Sequence, residues 1–172
     1  MKNILYAITN IDQKYSSFLR EKLKCSSCDK LFSILTHIGS ALMTLSICLM
    51  MVIFGNQDVR SIGIISLLSL TISHVIVQSL KYAIRRQRPT DDISRENYTI
   101  LFDRYSFPSG HATAAFSIAT TVSLSLPLFS IIAFPLALMI GLSRIYIGVH
   151  YLTDVLAGFT IATVTSLLVI FA

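Results

Sequence analysis

The residues best suited to chemistry lie in the last third of the chain, where His150 and Asp154 are four positions apart. On a helix this spacing places both side chains on one face. A carboxylate that holds one ring nitrogen of a histidine fixes its tautomer and raises the basicity of the other nitrogen. The pair therefore predicts a nucleophilic imidazole at His150 that is oriented by Asp154, and Arg144 supplies a cation six residues earlier.

A second polar group is formed by the sequence Pro108-Ser109-Gly110-His111, immediately before an apolar run. A helix that begins here offers free N–H groups to an anion, and Gly110 lets the backbone approach that anion closely. Ser109 adds a hydroxyl donor, and His111 is placed as a proton donor or acceptor beside the anion. The alternative is an ordinary turn and helix cap, which Pro-Ser-Gly would also form.

A third group comprises Lys81 and Arg88, which are seven positions apart and are followed by Pro89. On a helix they would share one face, and the proline would end that helix. Two cations on one face can hold a multiply charged anion. The alternative is that both side chains reach lipid headgroups from the membrane edge.

The elements that must position these residues are apolar. Hydrophobic residues make up 53% of the 172 residues and charged residues 13%, which is about half the usual charged fraction of a soluble domain. Because the basic residues occupy short polar intervals between apolar runs, the charge of +5 indicates a membrane protein and not a nucleic-acid partner. We expect an all-α, integral-membrane helical bundle with five transmembrane helices, from residues 31–57, 61–80, 111–126, 128–146 and 151–171. Pro127 divides the fourth span from the third.

The first 30 residues differ from the rest. Apolar residues recur there at three- to five-residue steps, at Ile4, Ile8, Ile11, Tyr15, Phe18 and Leu23. The pattern predicts an amphipathic segment 1–30, either interfacial or packed against the bundle, and a membrane domain 31–172. Residues 90–107 are expected to form a polar loop. Cys25 and Cys28 form a CxxC without a second pair, so we expect no metal site there. His74 is expected to make an interhelical hydrogen bond.

Five spans would place all three polar groups on the same side of the membrane. Three cations, a helix N-terminus and two histidines would then surround one volume. This combination predicts a phosphate site that carries its own nucleophile and acid.

The three groups together closely resemble the type-2 phosphatidic acid phosphatase superfamily, whose pattern is KxxxxxxRP, PSGH and SRxxxxxHxxxD. All three parts are present without departure, as Lys81–Pro89, Pro108–His111 and Ser143–Asp154. The resemblance implies a lipid phosphatase of the cell membrane, plasma or inner, that acts through a phosphohistidine without a metal or other cofactor. Its substrate would be a polyprenyl diphosphate, phosphatidylglycerophosphate or phosphatidate.

Carried over by position, the resemblance implies that His150 attacks phosphorus and that Asp154 orients it. His111 would protonate the leaving oxygen and then activate water. The phosphoryl oxygens would be bound by Lys81, Arg88, Ser109, Gly110 and Arg144.

Two other classes of function share features of this sequence. The signature also resembles vanadium-dependent haloperoxidases, which are larger soluble oxidoreductases, and intramembrane charges would suit a non-enzymatic channel or scaffold. The membrane face stays open as well. Thirteen of the fourteen Lys and Arg fall on the catalytic side by the five-span count, which favours the cytoplasm. Bacterial polyprenyl-diphosphate enzymes of the family commonly act on the outer face.

Overall fold

A computed structural model describes residues 2–89 and 104–172, which form seven α-helices and one short 3-10 helix. The α-helices are α1 (Lys2–Leu23), α2 (Ser26–Ile38), α3 (Ala41–Phe54), α4 (Gln57–Ile84), α5 (Gly110–Ser125), α6 (Ser130–Tyr146) and α7 (Leu152–Phe171), and the 3-10 helix is Pro127–Phe129. The all-α bundle predicted from the sequence is confirmed. Most of the predicted loop 90–107 falls at 90–103, outside the described residues.

Within the described part of the chain, three helices are long and apolar enough to cross a bilayer: α4, the unit Pro127–Tyr146 that ends with α6, and α7. The predicted span 31–57 is wrong as a single straight helix. It is divided between α2 and α3, which meet at a 56° bend and pass the same test only as a pair. The bend lies at Gly39 and Ser40, where the Ser40 hydroxyl caps α3 by accepting from Met43 N at 3.4 Å. The count of five spans stays a prediction.

Helix α5 lies at the centre of the bundle and contacts α3, α4, α6 and α7. It has 16 residues, about 24 Å at 1.5 Å per residue, so it is shorter than the bilayer core of about 30 Å. As predicted, the apolar run is interrupted at Pro127, where α5 has ended and the 3-10 helix begins. Helix α5 forms one core with α6 and α7, to which it contributes Phe116 and three alanines. The core includes Ala112, Ala115, Ala119, Ala137, Ile140, Val155 and Ala162.

Small hydroxyl side chains line the other contacts of α5. Ser66 of α4 and Thr121 of α5 are joined by a buried hydrogen bond of 2.6 Å, and Ser73 lies 3.1 Å from the Ser117 hydroxyl. In a bilayer, small residues allow helices to approach closely, and their hydroxyls bond across the interface. The packing therefore depends on residue size as much as on apolarity.

Helix α1 packs against α6 and α7 through its polar side. Asp12 and Ser16 are buried, whereas Ile11, Tyr15 and Phe18 each expose more than half of their surface. The amphipathic helix predicted from the sequence is present, and these three apolar side chains face away from the bundle, whereas Leu19 packs against the core. A disulfide joins Cys25, which precedes α2, to Cys28 in the first turn of α2.

The interpretation of His74 as an interhelical hydrogen-bonding residue is wrong. Its Nε2 lies 3.2 Å from Nε2 of Gln78, one turn later on the same exposed side of α4. A spacing of four residues allows this local pair, so the histidine needs no partner on another helix.

Gly158 of α7 sets the distance between α7 and the start of α5. A Cβ at this position would stand 2.8 Å from the carbonyl oxygen of Ser109 and 2.9 Å from Oγ1 of Thr113. We expect Gly158→Ala to force the two helices apart, at a cost of about 1–3 kcal/mol, and to lower Tm in detergent. Thr160→Ala, on the exposed side of the same helix, is the matched control. Equal Tm values for the two variants would contradict this account of the contact.

Candidate active site

His150 and Asp154 are brought into contact at the start of α7. His150 Nδ1 lies 3.4 Å from Asp154 Oδ2, and both side chains are fully buried. The predicted pairing is confirmed, but the reason given for it is wrong, because His150 precedes α7 and does not share its helix. Asp154 instead turns back to the residues before the helix, where its Oδ2 accepts from Tyr151 N at 2.8 Å. Asp154 therefore caps the start of α7 and, from the same position, contacts the ring of His150.

The segment before α7 is fixed by backbone contacts to α6. Val149 N and His150 N both donate to the carbonyl of Arg144, at 3.2 and 3.3 Å. Gly148 has a φ of 83°, a conformation that strongly favours glycine in this turn. The turn therefore holds His150 close to Arg144, one of the three predicted cations.

The Pro108–His111 segment meets the same end of α7. Ser109 N donates to the carbonyl of Asp154 at 3.0 Å, and the Ser109 hydroxyl caps α5 by accepting from Ala112 N at 3.5 Å. Helix α5 begins at Gly110, where a Cβ would meet nothing within 4 Å. His111 follows in the first turn and lies beside the α2–α3 bend, since its Cδ2 is 3.6 Å from the position that a Cβ on Gly39 would take.

The third predicted group, Lys81 and Arg88, also converges here, but not through a shared helix face. Helix α4 ends at Ile84, and Arg85 adopts the left-handed conformation that terminates it, with φ 53° and ψ 39°. The shared-face prediction is therefore wrong for Arg88, which lies in the segment beyond the helix. Lys81 is 2% exposed and donates to the carbonyl of Tyr105 at 3.1 Å, while Arg88 donates to the carbonyl of Val149 at 3.4 Å.

Arg144 is 6% exposed and lies in the last turn of α6. Its guanidinium donates to the hydroxyl of Thr36 on α2. A second link between the same helices joins the Tyr146 hydroxyl to Asp29. The α2–α6 contact thus holds Arg144 at the end of the bundle where His150, Asp154 and Ser109 lie.

The sequence patterns do not single out Arg86, yet it contacts two carboxylates and an aromatic ring in this region. Its Nη1 donates to Asp154 Oδ1 at 2.8 Å, its Nη2 donates to Asp12 Oδ2 at 2.8 Å, and its guanidinium stacks 4.0 Å from the ring centre of Tyr151. Arg86 occupies an unspecified position of the KxxxxxxRP pattern, and Asp12 belongs to a helix outside all three motifs. The available signal was the presence of an ionisable residue, Asp12, among the hydrophobic residues of an amphipathic segment.

A cavity of about 170 Å³ borders His150. One wall is α1, with Arg20 and Glu21 among its residues, and the other wall includes His150, Tyr151 and Pro89. The structure therefore brings the predicted residues of all three groups to one end of the bundle. It also places α1 next to them, which the motifs did not predict.

Comparison with protein families matches residues 62–171 to the PAP2 superfamily. Two solved structures share the fold. The transmembrane PAP2-type phosphatidylglycerolphosphate phosphatase from Bacillus subtilis has a TM-score of 0.77 at 27% identity, covering 96% of this chain and 85% of that one. LpxE from Aquifex aeolicus has a TM-score of 0.76 at 28% identity, covering 92% of this chain and 94% of that one.

Among curated proteins, an undecaprenyl-diphosphatase from Sulfolobus acidocaldarius is 31% identical over 139 residues, which is 78% of this chain and 65% of the relative. Phosphatidylglycerophosphatase B from Bacillus subtilis is 33% identical over 118 residues, 62% of this chain and 56% of the relative. The chain thus spans somewhat less than two thirds of the length of the curated relatives it matches.

Gly110 offers a test of the anion site that does not depend on turnover. Because a Cβ would meet no protein atom, we expect Gly110→Ala to keep the Tm of the unliganded protein. The same methyl group would occupy space at the start of α5 where an anion approaches the backbone N–H groups, and it should weaken orthophosphate binding about tenfold. The measurement is the rise of Tm with orthophosphate concentration, compared between variant and parent. An unchanged rise would place the anion elsewhere.

Proposed function

The chain belongs to the PAP2 superfamily, and on this premise we propose that it is a lipid phosphatase that transfers the phosphoryl group to His150 and then to water. The substrate is a phosphate monoester or diphosphate of a membrane lipid. The chain is a helical membrane protein, and its proposed location is the cell membrane, plasma or inner. A site at the ends of the helices suits an amphiphile whose headgroup enters the bundle while its chains stay in lipid.

The observation that carries the proposal is the contact between His150 and Asp154 at one end of the bundle. With Nδ1 facing the carboxylate, Nε2 lies on the opposite side of the ring and is the nitrogen available for attack. Lys81, Arg88 and Arg144 lie around the same end, together with the N-terminus of α5. Their positive charge would stabilise the charge that spreads over the phosphoryl oxygens in the transition state, where Ser109 and the backbone of Gly110 add donors.

In the first step, the Nε2 lone pair of His150 forms a bond to phosphorus as the bond from phosphorus to the leaving oxygen breaks. His111 gives its proton to that oxygen, and the lipid alcohol or lipid monophosphate departs. The imidazole gains positive charge as the bond forms, and the carboxylate of Asp154 stabilises that charge through Nδ1. The burial of both side chains strengthens this electrostatic effect.

In the second step, His111 takes a proton from water, and the water oxygen attacks phosphorus. The bond between phosphorus and Nε2 breaks, its electron pair returns to the ring, and orthophosphate leaves. The enzyme is restored to its starting protonation state, since the proton that His111 lost in the first step is regained in the second.

The relatives act on different lipid phosphates, as their names state, and the three motifs are common to the family. The substrate class proposed for this chain therefore includes polyprenyl diphosphates, phosphatidylglycerophosphate and phosphatidate. The experiment is phosphate release from each in detergent, with a water-soluble phosphate ester beside them. Halide oxidation with added vanadate and peroxide, measured in parallel, tests the haloperoxidase alternative.

Replacement of the nucleophile should abolish turnover. We expect His150→Ala to lower kcat by at least about 10⁴-fold and to prevent covalent labelling from a ³²P-labelled substrate, in the presence of a chelator. His74→Ala is the matched histidine control, because His74 contacts only Gln78 among the hydrogen bonds described for it. Labelling that survives in His150→Ala, or turnover that the chelator removes, would contradict the mechanism.

Loss of the acid should depend on the leaving group. We expect His111→Ala to slow phosphoryl transfer from a lipid alkyl phosphate by about 10²–10⁴-fold. Transfer from p-nitrophenyl phosphate should be affected much less, because nitrophenolate departs without a proton. Stopped-flow measurement should then show a burst of nitrophenol followed by slow turnover, since water activation is also lost. Equal losses of the burst rate for both substrates would assign the proton to another group.

A further inference from the structure

Asp12 is a buried carboxylate in the middle of α1, with 3% of its surface exposed. Its oxygens accept from three donors: Nη2 of Arg86 at 2.8 Å, the backbone N of Thr153 at 3.3 Å, and the hydroxyl of Thr153. A carboxylate buried to this extent is costly unless it is paired and fully hydrogen-bonded. The contacts meet this requirement, and all of them lie next to Asp154.

Arg86 bridges the two carboxylates with separate nitrogens. Nη1 donates to Asp154 Oδ1 and also to the Thr153 hydroxyl at 2.7 Å, while Nη2 donates to Asp12. Asp154 is therefore held by Arg86 at Oδ1 and by Tyr151 N and His150 at Oδ2. This arrangement fixes the plane of the carboxylate that faces the imidazole.

Asp12, Arg86 and Asp154 form a charged cluster beside His150. The two aspartates carry one negative charge each and Arg86 carries one positive charge, so the net charge of the cluster is −1. Without Asp12, Arg86 would neutralise Asp154, and the sum would be zero. An imidazole that becomes cationic on phosphorylation is stabilised by a net negative neighbour and not by a neutral ion pair.

We propose that Asp12 and Arg86 are positioning residues of the active site, and that Asp12 offsets Arg86 so that Asp154 keeps a net negative charge for His150. The inference rests on the proposed function, since it concerns the charge that His150 acquires in the phosphoryl transfer. Helix α1 is on this account a part of the catalytic apparatus, although neither Asp12 nor Arg86 touches the phosphate.

The way α1 is seated agrees with this role. Asp12, Ser16 and Leu19 follow one another at spacings of four and three, so they lie on one face of the helix. Ser16 accepts from Leu152 N at 3.0 Å, and Leu19 packs against the core of α5 and α6. Two further charges on α1, Arg20 and Glu21, line the cavity beside His150, where they have opposite signs and leave the sum unchanged.

The test compares Asp12→Asn, Arg86→Gln and the double variant for kcat, KM and Tm, on whichever substrate the parent hydrolyses. Asp12→Asn keeps the size of the side chain and one acceptor oxygen, which can still face Arg86 and the Thr153 hydroxyl, while the acceptor for Thr153 N is lost and the cluster becomes neutral. With an effective dielectric constant of about 20, loss of this charge should lower kcat roughly tenfold. KM should stay within about twofold, because Lys81, Arg88 and Arg144 are untouched.

Arg86→Gln leaves two buried carboxylates without their shared cation, so it should lower both Tm and kcat. The double variant restores the sum of −1. We therefore expect its kcat to exceed that of Asp12→Asn, although it carries one more substitution and has lost more contacts. A double variant that is less active than Asp12→Asn would overturn the proposal, as would a parental kcat in Asp12→Asn.

A purely structural role of α1 is distinguished by Leu19→Ala, which removes packing and no charge. If that variant lowers Tm as much as Asp12→Asn does, and lowers kcat equally, Asp12 only anchors the helix and the proposal fails. Failure of the proposed function is a separate outcome, since it would appear as activity or ³²P labelling in His150→Ala. The Asp12 and Arg86 variants keep His150, so their kcat values can be interpreted separately from the result for His150→Ala.

Discussion

A single buried carboxylate, Asp154, holds the candidate active site together. Its charge lies in the first turn of α7, buried in a mostly apolar bundle, so its acceptor positions have to be matched by donors. Donors come from different parts of the chain, from Arg86 after α4 and from Tyr151 before α7, and the ring of His150 lies 3.4 Å from the same carboxylate. Its backbone carbonyl accepts from Ser109, which opens α5. Contacts to the side chain and backbone of this one residue thus bring together the three motifs, which are far apart in sequence.

The membrane bundle supplies the rigidity that this arrangement requires. Close contacts made by small residues, such as Gly158 against Ser109 and Ser66 against Thr121, fix α5 relative to its neighbours. Lipid gives little hydrophobic driving force between helices, so close packing and interhelical hydrogen bonds have to set these distances. These contacts fix the position of the first turn of α5, and therefore the position of the proposed general acid, His111.

The sequence was sufficient to predict the helical class, the break at Pro127 and the polar residues that gather at one end of the bundle, because motifs and apolar runs are local signals. It failed where geometry depends on how a helix ends. Arg88 and His150 were assigned to helix faces, but the left-handed turn at Arg85 and the turn at Gly148 place both outside helices. The bend at Gly39 and Ser40 was missed because an uninterrupted run without charges resembles one span. Arg86 and Asp12 were missed because their importance arises only from tertiary contacts, which no spacing encodes.

The position of Asp12 has a consequence for how modules of this family are delimited. The region that matches the PAP2 superfamily begins at residue 62, so the partner of Arg86 belongs to a segment that the family match does not include. A boundary drawn by sequence similarity therefore cuts through an ion pair. A chimera that replaces the first 61 residues of this chain with a segment of another protein would keep every proposed catalytic residue and still remove the partner of Arg86. In this chain, residues 12 and 86 have to be exchanged together.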